Sequence, residues 1–282
     1  MNNLCNISNI KQILSVHGVN LSKKWGQNFI INPGICSKMA DSCGANVKTC
    51  VLEIGPGIGT LTKELAIRAK KIVAVELDRR LISILEETLK DFENIKVICG
   101  DIQKIDVKRL ILDEFKGMDT CVCANLPYYI TSPIIMKFLE EKAPVKDLTF
   151  MVQKEAAQRI CAVPGTREVG AISFAVRYYS EPKILFNVAR GSFYPSPKVD
   201  SSVIKLKMRE RPAVDVKDEK LFFKIIKAAF SQRRKMLVNA ITKVLDISKE
   251  EAINFMDNLG INHTMRAENL SLSDLARLLK FL

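Results

Sequence analysis

Histidine and tryptophan are nearly absent from this 282-residue chain, with two of the first and one of the second. His17 and His263 lie far apart in the sequence, and no Cys-x-x-Cys pair exists. Zinc-ligand spacing is therefore missing, and no metal site is expected. No apolar run approaches the roughly 18 residues that a membrane-spanning helix needs. The N-terminal stretch, residues 1–12, has neither a basic start with an apolar stretch nor a small-residue cleavage site, so no secretory signal is expected. No internal repeat or low-complexity tract is visible, which excludes solenoid and linker-like architectures. Eight cysteines are present. In a long chain without a signal they read as reduced, mostly buried thiols of a cytoplasmic protein.

What is present is apolar material and positive charge. Hydrophobic residues make up 48% of the chain, enough for a sizeable core. The formal charge is +12, from 43 Lys+Arg against 31 Asp+Glu. A polyanionic partner fits that balance, nucleic acid before an anionic membrane surface. Residues 205–282 hold 16 Lys+Arg and 10 Asp+Glu, half of the surplus in the last 78 residues.

Residues 1–35 read as a polar, partly helical arm. From about 50 to 150, apolar strands alternate with helical periodicity. Strands are predicted at 49–54, 71–76, 95–99, 120–124 and 148–152, and helices at 60–70, 81–89 and 132–140. Continuous apolar strands separated by amphipathic helices predict an α/β fold, a parallel sheet with helices on both faces. Late strands are predicted at 171–179 and 201–208. Residues 209–215 are charged, contain Pro212 and read as a linker. Beyond them, helices at 222–230, 237–245, 250–259 and 273–282 predict a small all-helical C-terminal domain. The domain boundary is thus placed at 1–208 and 209–282.

Gly55-Pro56-Gly57-Ile58-Gly59-Thr60 follows the first strand and opens a helix. The spacing misses the dinucleotide fingerprint by one position, because Thr60 stands where it needs its last glycine. No Gly-Lys-Ser/Thr follows, so a phosphate-cradling loop is not expected. Glu76 ends the next strand, 21 residues after Gly55, where a carboxylate can accept both ribose hydroxyl hydrogens. Asp101, followed by Ile102, ends the third strand and suits an adenine amino group. All three lie at the carboxyl ends of neighbouring strands, around one crevice. They fit an adenosine without an essential phosphate, which points to S-adenosylmethionine.

Ala124-Asn125-Leu126-Pro127-Tyr128-Tyr129 follows the fourth strand. Asn and Pro also make ordinary turns. Here Pro127 forces Leu126 out of the α region, so its carbonyl can face the crevice. Asn125 offers a side-chain oxygen, and Tyr128 a flat face for stacking. Together they describe a clamp for an amino group on a planar ring.

With this turn the chain resembles the ribosomal RNA adenine dimethyltransferases, of the small-subunit type. The likeness runs from about residue 23 to 280. It rests on Gly26-Gln27-Asn28-Phe29-Ile30, Glu53-Ile54-Gly55-Pro56-Gly57, Val75-Glu76-Leu77-Asp78, Gly100-Asp101 and Asn125-Leu126-Pro127-Tyr128. Further on come Gln153-Lys154-Glu155, Phe193-Tyr194-Pro195-Ser196-Pro197-Lys198-Val199-Asp200-Ser201, Gln232-Arg233-Arg234-Lys235 and Arg266-Ala267-Glu268-Asn269-Leu270-Ser271. Ile30 departs from the usual leucine, and Val169 from a common aromatic.

The resemblance implies a Rossmann-like class I methyltransferase sheet. It implies two methyls added to each of two adjacent adenosines in a hairpin near the 3′ end of 16S rRNA, within the small ribosomal subunit, by a monomer. Asn28, Ile30, Gly55, Gly57, Glu76, Asp101, Ile102 and Asn125 match positions that contact the donor or line its site. Tyr128 and Phe193 are expected on the two faces of the target base.

Lys224, Lys227, Ser231 and Arg234 would share one face of a helix, opposite Phe222, Ile226, Ala229 and Phe230. With Arg233 and Lys235 they are expected to meet phosphates. Lys23 and Lys24 are expected to contact RNA beside the active site, and Trp25 to anchor the arm. Three other readings stay open at this level: the large-subunit enzymes that confer macrolide resistance, an NAD-dependent oxidoreductase, and a non-catalytic RNA-binding assembly factor. The 232–235 and 266–271 segments favour the small-subunit type over the first.

Overall fold

The computed structural model describes residues 3–20, 27–232 and 235–280. Lys23, Lys24, Trp25, Arg233 and Arg234 therefore lie outside the described residues.

Two compact units form. One comprises Met1–Ala157 and Lys183–Met208, the other Gln158–Pro182 and Arg209–Leu282. Residues 158–182 thus belong with the helical unit, although they precede residue 209 in the chain.

The first unit begins with α1 (Ile7–Val16), β1 (Phe29–Ile30) and α2 (Pro33–Ser42). Asn6 caps α1, its side chain accepting from the Ser8 and Asn9 amides. Then strands and helices alternate: β2 (Cys50–Ile54), α3 (Thr60–Ala66), β3 (Lys71–Glu76), α4 (Ile82–Thr88), β4 (Ile95–Cys99), α5 (Val107–Phe115), β5 (Thr120–Asn125), α6 (Thr131–Glu140), β6 (Asp147–Gln153) and α7 (Lys154–Cys161). β7 (Ser180–Val188), β8 (Phe193–Tyr194) and β9 (Ser201–Met208) complete the strands, and α8 (Ala171–Tyr179), between α7 and β7 in the chain, belongs to the second unit.

The seven-stranded sheet runs β4-β3-β2-β5-β6-β9-β7. β2 to β6 pair in parallel, whereas β9 is antiparallel to β6. Every residue of β2 is buried, as are all but the end residues of β3, β5 and β6. Strands buried along their whole length must be covered on both faces, as the near-continuous apolar runs predict. β4, at the sheet edge, has only half-buried and exposed residues.

All eight cysteines are free thiols, and Cys36, Cys43, Cys50, Cys121 and Cys123 are buried. Burial pushes the Cys36, Cys121 and Cys161 thiols up, so they stay protonated and unreactive. No described helix is long and apolar enough to cross a membrane.

Residues 171–179 form a helix, not the predicted strand. The run is apolar almost throughout, and such a run does not separate a buried strand from a buried helix by periodicity. Contacts with the segment before it decide it. The Gly170 N–H donates to Ser173 Oγ at 3.0 Å, and that hydroxyl donates to the Arg159 carbonyl at 2.6 Å. Arg177 Nε donates to the Ala162 carbonyl at 2.6 Å. Ser173, Phe174, Ala175, Val176, Tyr178 and Tyr179 are all buried. Absent from the predicted set are the two-residue strands β1 and β8 and also β7, which starts one residue later. Its Pro182 and mixed burial weaken the pattern, and both are compatible with its place at the sheet edge.

α2, α5 and α7 are also absent from the predicted set. α5 is legible in hindsight, since Asp106 accepts from the Arg109 amide at 2.8 Å. Its Val107, Ile111 and Phe115 then bury one face at helical spacing.

The second unit is helical. It adds α9 (Glu219–Ser231), α10 (Val238–Leu245), α11 (Lys249–Asn258) and α12 (Leu272–Lys280). Asp218 caps α9 by accepting from the Leu221 amide at 2.9 Å. An aromatic cluster joins α8 to α9: Phe174 and Phe230 lie 5.3 Å apart between ring centroids, and Tyr178 and Phe222 5.1 Å. Residues 209–215 are not a free linker. The Arg209 and Ala213 amides donate to the Tyr179 and Tyr178 carbonyls, each at 2.9 Å, tying the segment to the end of α8.

Candidate active site

The strand order reverses between β2 and β5, and ligands of open α/β sheets bind at the carboxyl ends of strands at such a point. One crevice lies there. It is lined by Asn28, Ile30, Gly55, Gly57, Glu76, Asp101, Ile102, Asn125, Leu126, Pro127 and Tyr128, together with Gln27, Phe29, Glu53, Asp78, Gln103 and Tyr129. Residues from four strand ends thus meet around one space.

The glycine loop after β2 needs its glycines. Gly55 has φ +67° and Gly57 φ +63°, a region that residues with a Cβ rarely adopt. A Cβ on Gly55 would meet nothing within 4 Å, so its absence widens open crevice. A Cβ on Gly57 would sit 3.2 Å from the Phe29 ring. Phe29 therefore packs directly on the loop.

Glu76 is 6% exposed. Its Oε2 accepts from the Gly57 N–H at 3.1 Å and its Oε1 from the Asp78 N–H at 2.8 Å. Burial raises its carboxyl above the ordinary range, against the lowering effect of those two N–H groups. Each oxygen keeps a further lone pair for a ligand hydroxyl. Asp101 Oδ1 accepts from the Gln103 N–H at 3.0 Å, which fixes the turn after β4.

The turn after β5 is held from three sides. Asn125 Nδ2 donates to the Asn28 carbonyl at 3.1 Å, across 97 residues of chain. With the amide nitrogen engaged, Oδ1 is the side-chain acceptor left to Asn125. The Leu126 N–H donates to the Met151 carbonyl at 3.1 Å, extending the pairing with β6. Pro127 sits at φ −55°, ψ 134°. Tyr128 Oη lies 3.0 Å from Ser201 Oγ on β9, a hydrogen bond that sets the ring's direction. Burial raises the Tyr128 hydroxyl above its ordinary pKa, so it stays neutral.

Phe193 is not brought to the crevice. It pairs with Ile30 in the short β1–β8 ladder, is 3% exposed and packs in the core beside that residue. The expectation of stacking from this side came from the motif alone.

Sequence reasoning passed over four contributors. Gln27 and Asp78 were quoted in motifs without a role, yet Gln27 Nε2 donates to Asp78 Oδ2 at 2.9 Å. The Arg80 guanidinium beside Asp78 holds that carboxyl below the usual range. Tyr129 lines the crevice and is 59% exposed. Glu53 on β2 is buried, and its Oε2 has no hydrogen-bond partner among the described residues. Burial pushes its carboxyl up to about 8. An acid inside an apolar strand was the available signal.

On α9, Lys224, Lys227 and Ser231 are exposed, Phe222, Ile226 and Ala229 are buried and Phe230 is half-buried; the helix ends at Ser231, and Arg234 lies outside the described residues. Lys235 is exposed as well. Among the described residues no group of three His, Cys, Asp or Glu is arranged to hold a metal ion.

Comparison with known proteins agrees with the geometry. The profile of a family described as ribosomal RNA adenine dimethylase matches residues 18–282. The ribosomal RNA small subunit methyltransferase A of Alkaliphilus metalliredigens is 45% identical over 281 residues, 99% of this chain and 98% of that protein. The protein of the same name from Geobacillus thermodenitrificans is 44% identical, over 95% of this chain and 93% of that one. Among solved structures, a dimethyladenosine transferase from Plasmodium falciparum superposes with TM-score 0.77 at 28% identity, over 90% of this chain and 96% of that one. The 23S rRNA methyltransferase ErmE shares the fold, with TM-score 0.70 at 23% identity over 90% of this chain and 98% of that one.

Proposed function

Because this chain belongs to the ribosomal RNA adenine dimethylase family, we propose that it carries methyl groups from S-adenosylmethionine to two adjacent adenosines of 16S rRNA. The target pair lies in a hairpin near the 3′ end, within the small ribosomal subunit, and each exocyclic amine receives two methyls. The bond from Asn125 Nδ2 to the Asn28 carbonyl carries the reading, because it leaves Oδ1 as acceptor in the crevice.

The crevice fits the donor. Gly55 leaves open space where a Cβ would stand, and Glu76 and Asp101 supply carboxylate acceptors for hydroxyl and amino hydrogens. Asn28, Ile30, Gly55, Gly57, Glu76, Asp101, Ile102 and Asn125 would hold it. When bound, S-adenosylmethionine supplies a methyl already made electrophilic by its sulfonium.

The protein's task is then positioning. An adenine amine is a weak nucleophile because its lone pair is delocalised into the ring. Asn125 Oδ1 and the Leu126 carbonyl accept its two hydrogens. That draws the nitrogen toward tetrahedral geometry and turns its lone pair toward the methyl. No base is needed before attack, since the proton can leave after the methyl arrives. Tyr128, held by Ser201, stacks on the base. Ideal positioning can supply about 7–11 kcal/mol. Extruding the base from its stack costs a few kcal/mol, less for a loop adenosine. After the first transfer the amine keeps one hydrogen, so one of the two acceptors loses its partner.

The helical residues 209–282 supply phosphate contacts, with Lys224, Lys227 and Lys235 exposed for it. Lys23, Lys24, Arg233 and Arg234 take the same role by their sequence positions. Structured RNA is read mainly by shape and backbone. We place the enzyme in the cytoplasm, acting as a monomer without a metal. The test is incubation with labelled donor and unmethylated small subunits, followed by mapping of modified adenosines. Two adjacent dimethylated adenosines near the 3′ end are expected. Label confined to the large subunit, or to no RNA, overturns the proposal.

A further inference from the structure

Residues 27 and 28 carry hydrogen bonds to two parts of the crevice that are distant in the chain. Gln27 Nε2 donates to Asp78 Oδ2 at 2.9 Å, just beyond the end of β3. The next carbonyl, of Asn28, accepts from Asn125 Nδ2 at 3.1 Å, at the end of β5.

Asp78 is itself fixed. Its side chain is 6% exposed. Arg80 grips it with Nε to Oδ1 at 2.9 Å and Nη2 to Oδ2 at 2.7 Å, and the Arg80 N–H adds a bond to Oδ1 at 3.1 Å. The Asp78 N–H donates to Glu76 Oε1 at 2.8 Å. One hydrogen-bonded path therefore runs from the carboxylates after β3, through residues 27–28, to the amide after β5.

We infer that Gln27 and Asp78 are positioning residues for methyl transfer, acting through the Asn28 carbonyl on the Asn125 amide. The inference rests on the clamp proposed above. The terminal torsion of an asparagine is soft and roughly two-fold. Rotated by half a turn, Asn125 would present its NH2 to the target amine, a donor facing a donor. The Asn28 carbonyl selects the productive orientation by engaging Nδ2. That carbonyl stands where it does because the preceding side chain is tied to a buried, doubly gripped carboxylate. A neutral amide needs such a support more than a carboxylate would, since the two carboxylate oxygens are equivalent.

The experiment is a double-mutant cycle on unmethylated small subunits at saturating donor, with donor affinity and thermal midpoint measured alongside. Gln27→Ala is expected to lower kcat about tenfold, a loss of the size that a sub-ångström misplacement brings. In the Asn125→Ala background the same change is expected to cost less than about twofold, because the residue it acts through is gone. Gln27→Ala is also expected to accumulate monomethylated adenosine, since the second transfer already relies on one hydrogen bond. Equal losses in both backgrounds, or a fall in donor affinity and melting with kcat and product ratio unchanged, overturn this inference and leave the clamp standing. Near-normal turnover by Asn125→Ala alone overturns the clamp and the inference with it.

Discussion

The two ends of the crevice present different kinds of hydrogen-bond acceptor. At the β3 and β4 end the acceptors are carboxylates: Glu76 and Asp101, with Asp78 behind them. At the β5 end they are neutral: an asparagine amide and a backbone carbonyl, beside a tyrosine kept un-ionised by burial. Charge-assisted hydrogen bonds are about twice as strong as neutral ones. The stronger kind falls where the proposed ligand must be held but does not react. The weaker kind falls where a nitrogen must be turned and then released as its hydrogens are replaced. Under the proposed function, binding strength and chemical positioning rest mainly on different residues, and they can be perturbed separately.

The largest effect should come from the neutral end. Asn125→Ala is expected to lower turnover about a hundredfold or more, the usual result of misplacing a reacting group. Donor affinity, followed by titration, should fall far less than turnover, because the carboxylate end still holds the donor. If affinity and turnover fell together, the division between the two ends would not hold.

Glu76→Gln attacks the other end. One carboxylate hydrogen bond to a ligand contributes about 1.5–3 kcal/mol, so donor affinity should drop roughly ten- to hundredfold. Turnover at saturating donor should fall far less. A variant with intact affinity and slow chemistry would reverse the assignment of roles.

Glu53 sharpens the comparison through pH. Burial pushes its carboxyl from the ordinary 4.5 up to about 8 in the folded protein. A raised carboxyl pKa means that the folded protein binds more protons than the unfolded chain across that window. Its contribution therefore favours folding at low pH and is lost as pH rises from about 4.5 through about 8. Thermal melting of Glu53→Gln should show a flatter pH dependence than the parent over that range. Identical pH profiles would mean that the buried acid does not titrate there.

The smallest effect belongs to the helical unit. Lys224→Ala or Lys227→Ala should leave donor affinity and melting alone. Each should reduce the salt dependence of RNA binding by about one unit of slope. An unchanged slope for both would remove α9 from the RNA contact.

Much of this could be read in the chain before folding. The apolar runs of β2, β3, β5 and β6 declared a sheet covered on both faces, because a strand's burial is written in its own residues. Gly55, Gly57, Glu76, Asp101 and Asn125 declared one crevice, because strand ends of a parallel sheet converge by topology. The caps of α9 and α11, Asp218 and Ser248, stand in local sequence as well. Residues 171–179 show the limit. Their apolar run fits a helix or a strand, and contacts made by Ser173 and Arg177 with Arg159 and Ala162 settle it.

Sequence by itself determined the order of elements, the class of sheet and the residue types around the crevice, since periodicity, backbone strain and strand topology act locally. Only tertiary structure decided how those residues are oriented. It turned the Asn125 amide through a carbonyl 97 residues away and tied Gln27 to an acid 51 residues away. It also drew Phe193 into the β1–β8 ladder and away from the crevice. Orientation depends on which distant groups meet, and no local pattern in the chain encodes the meeting of two segments that far apart.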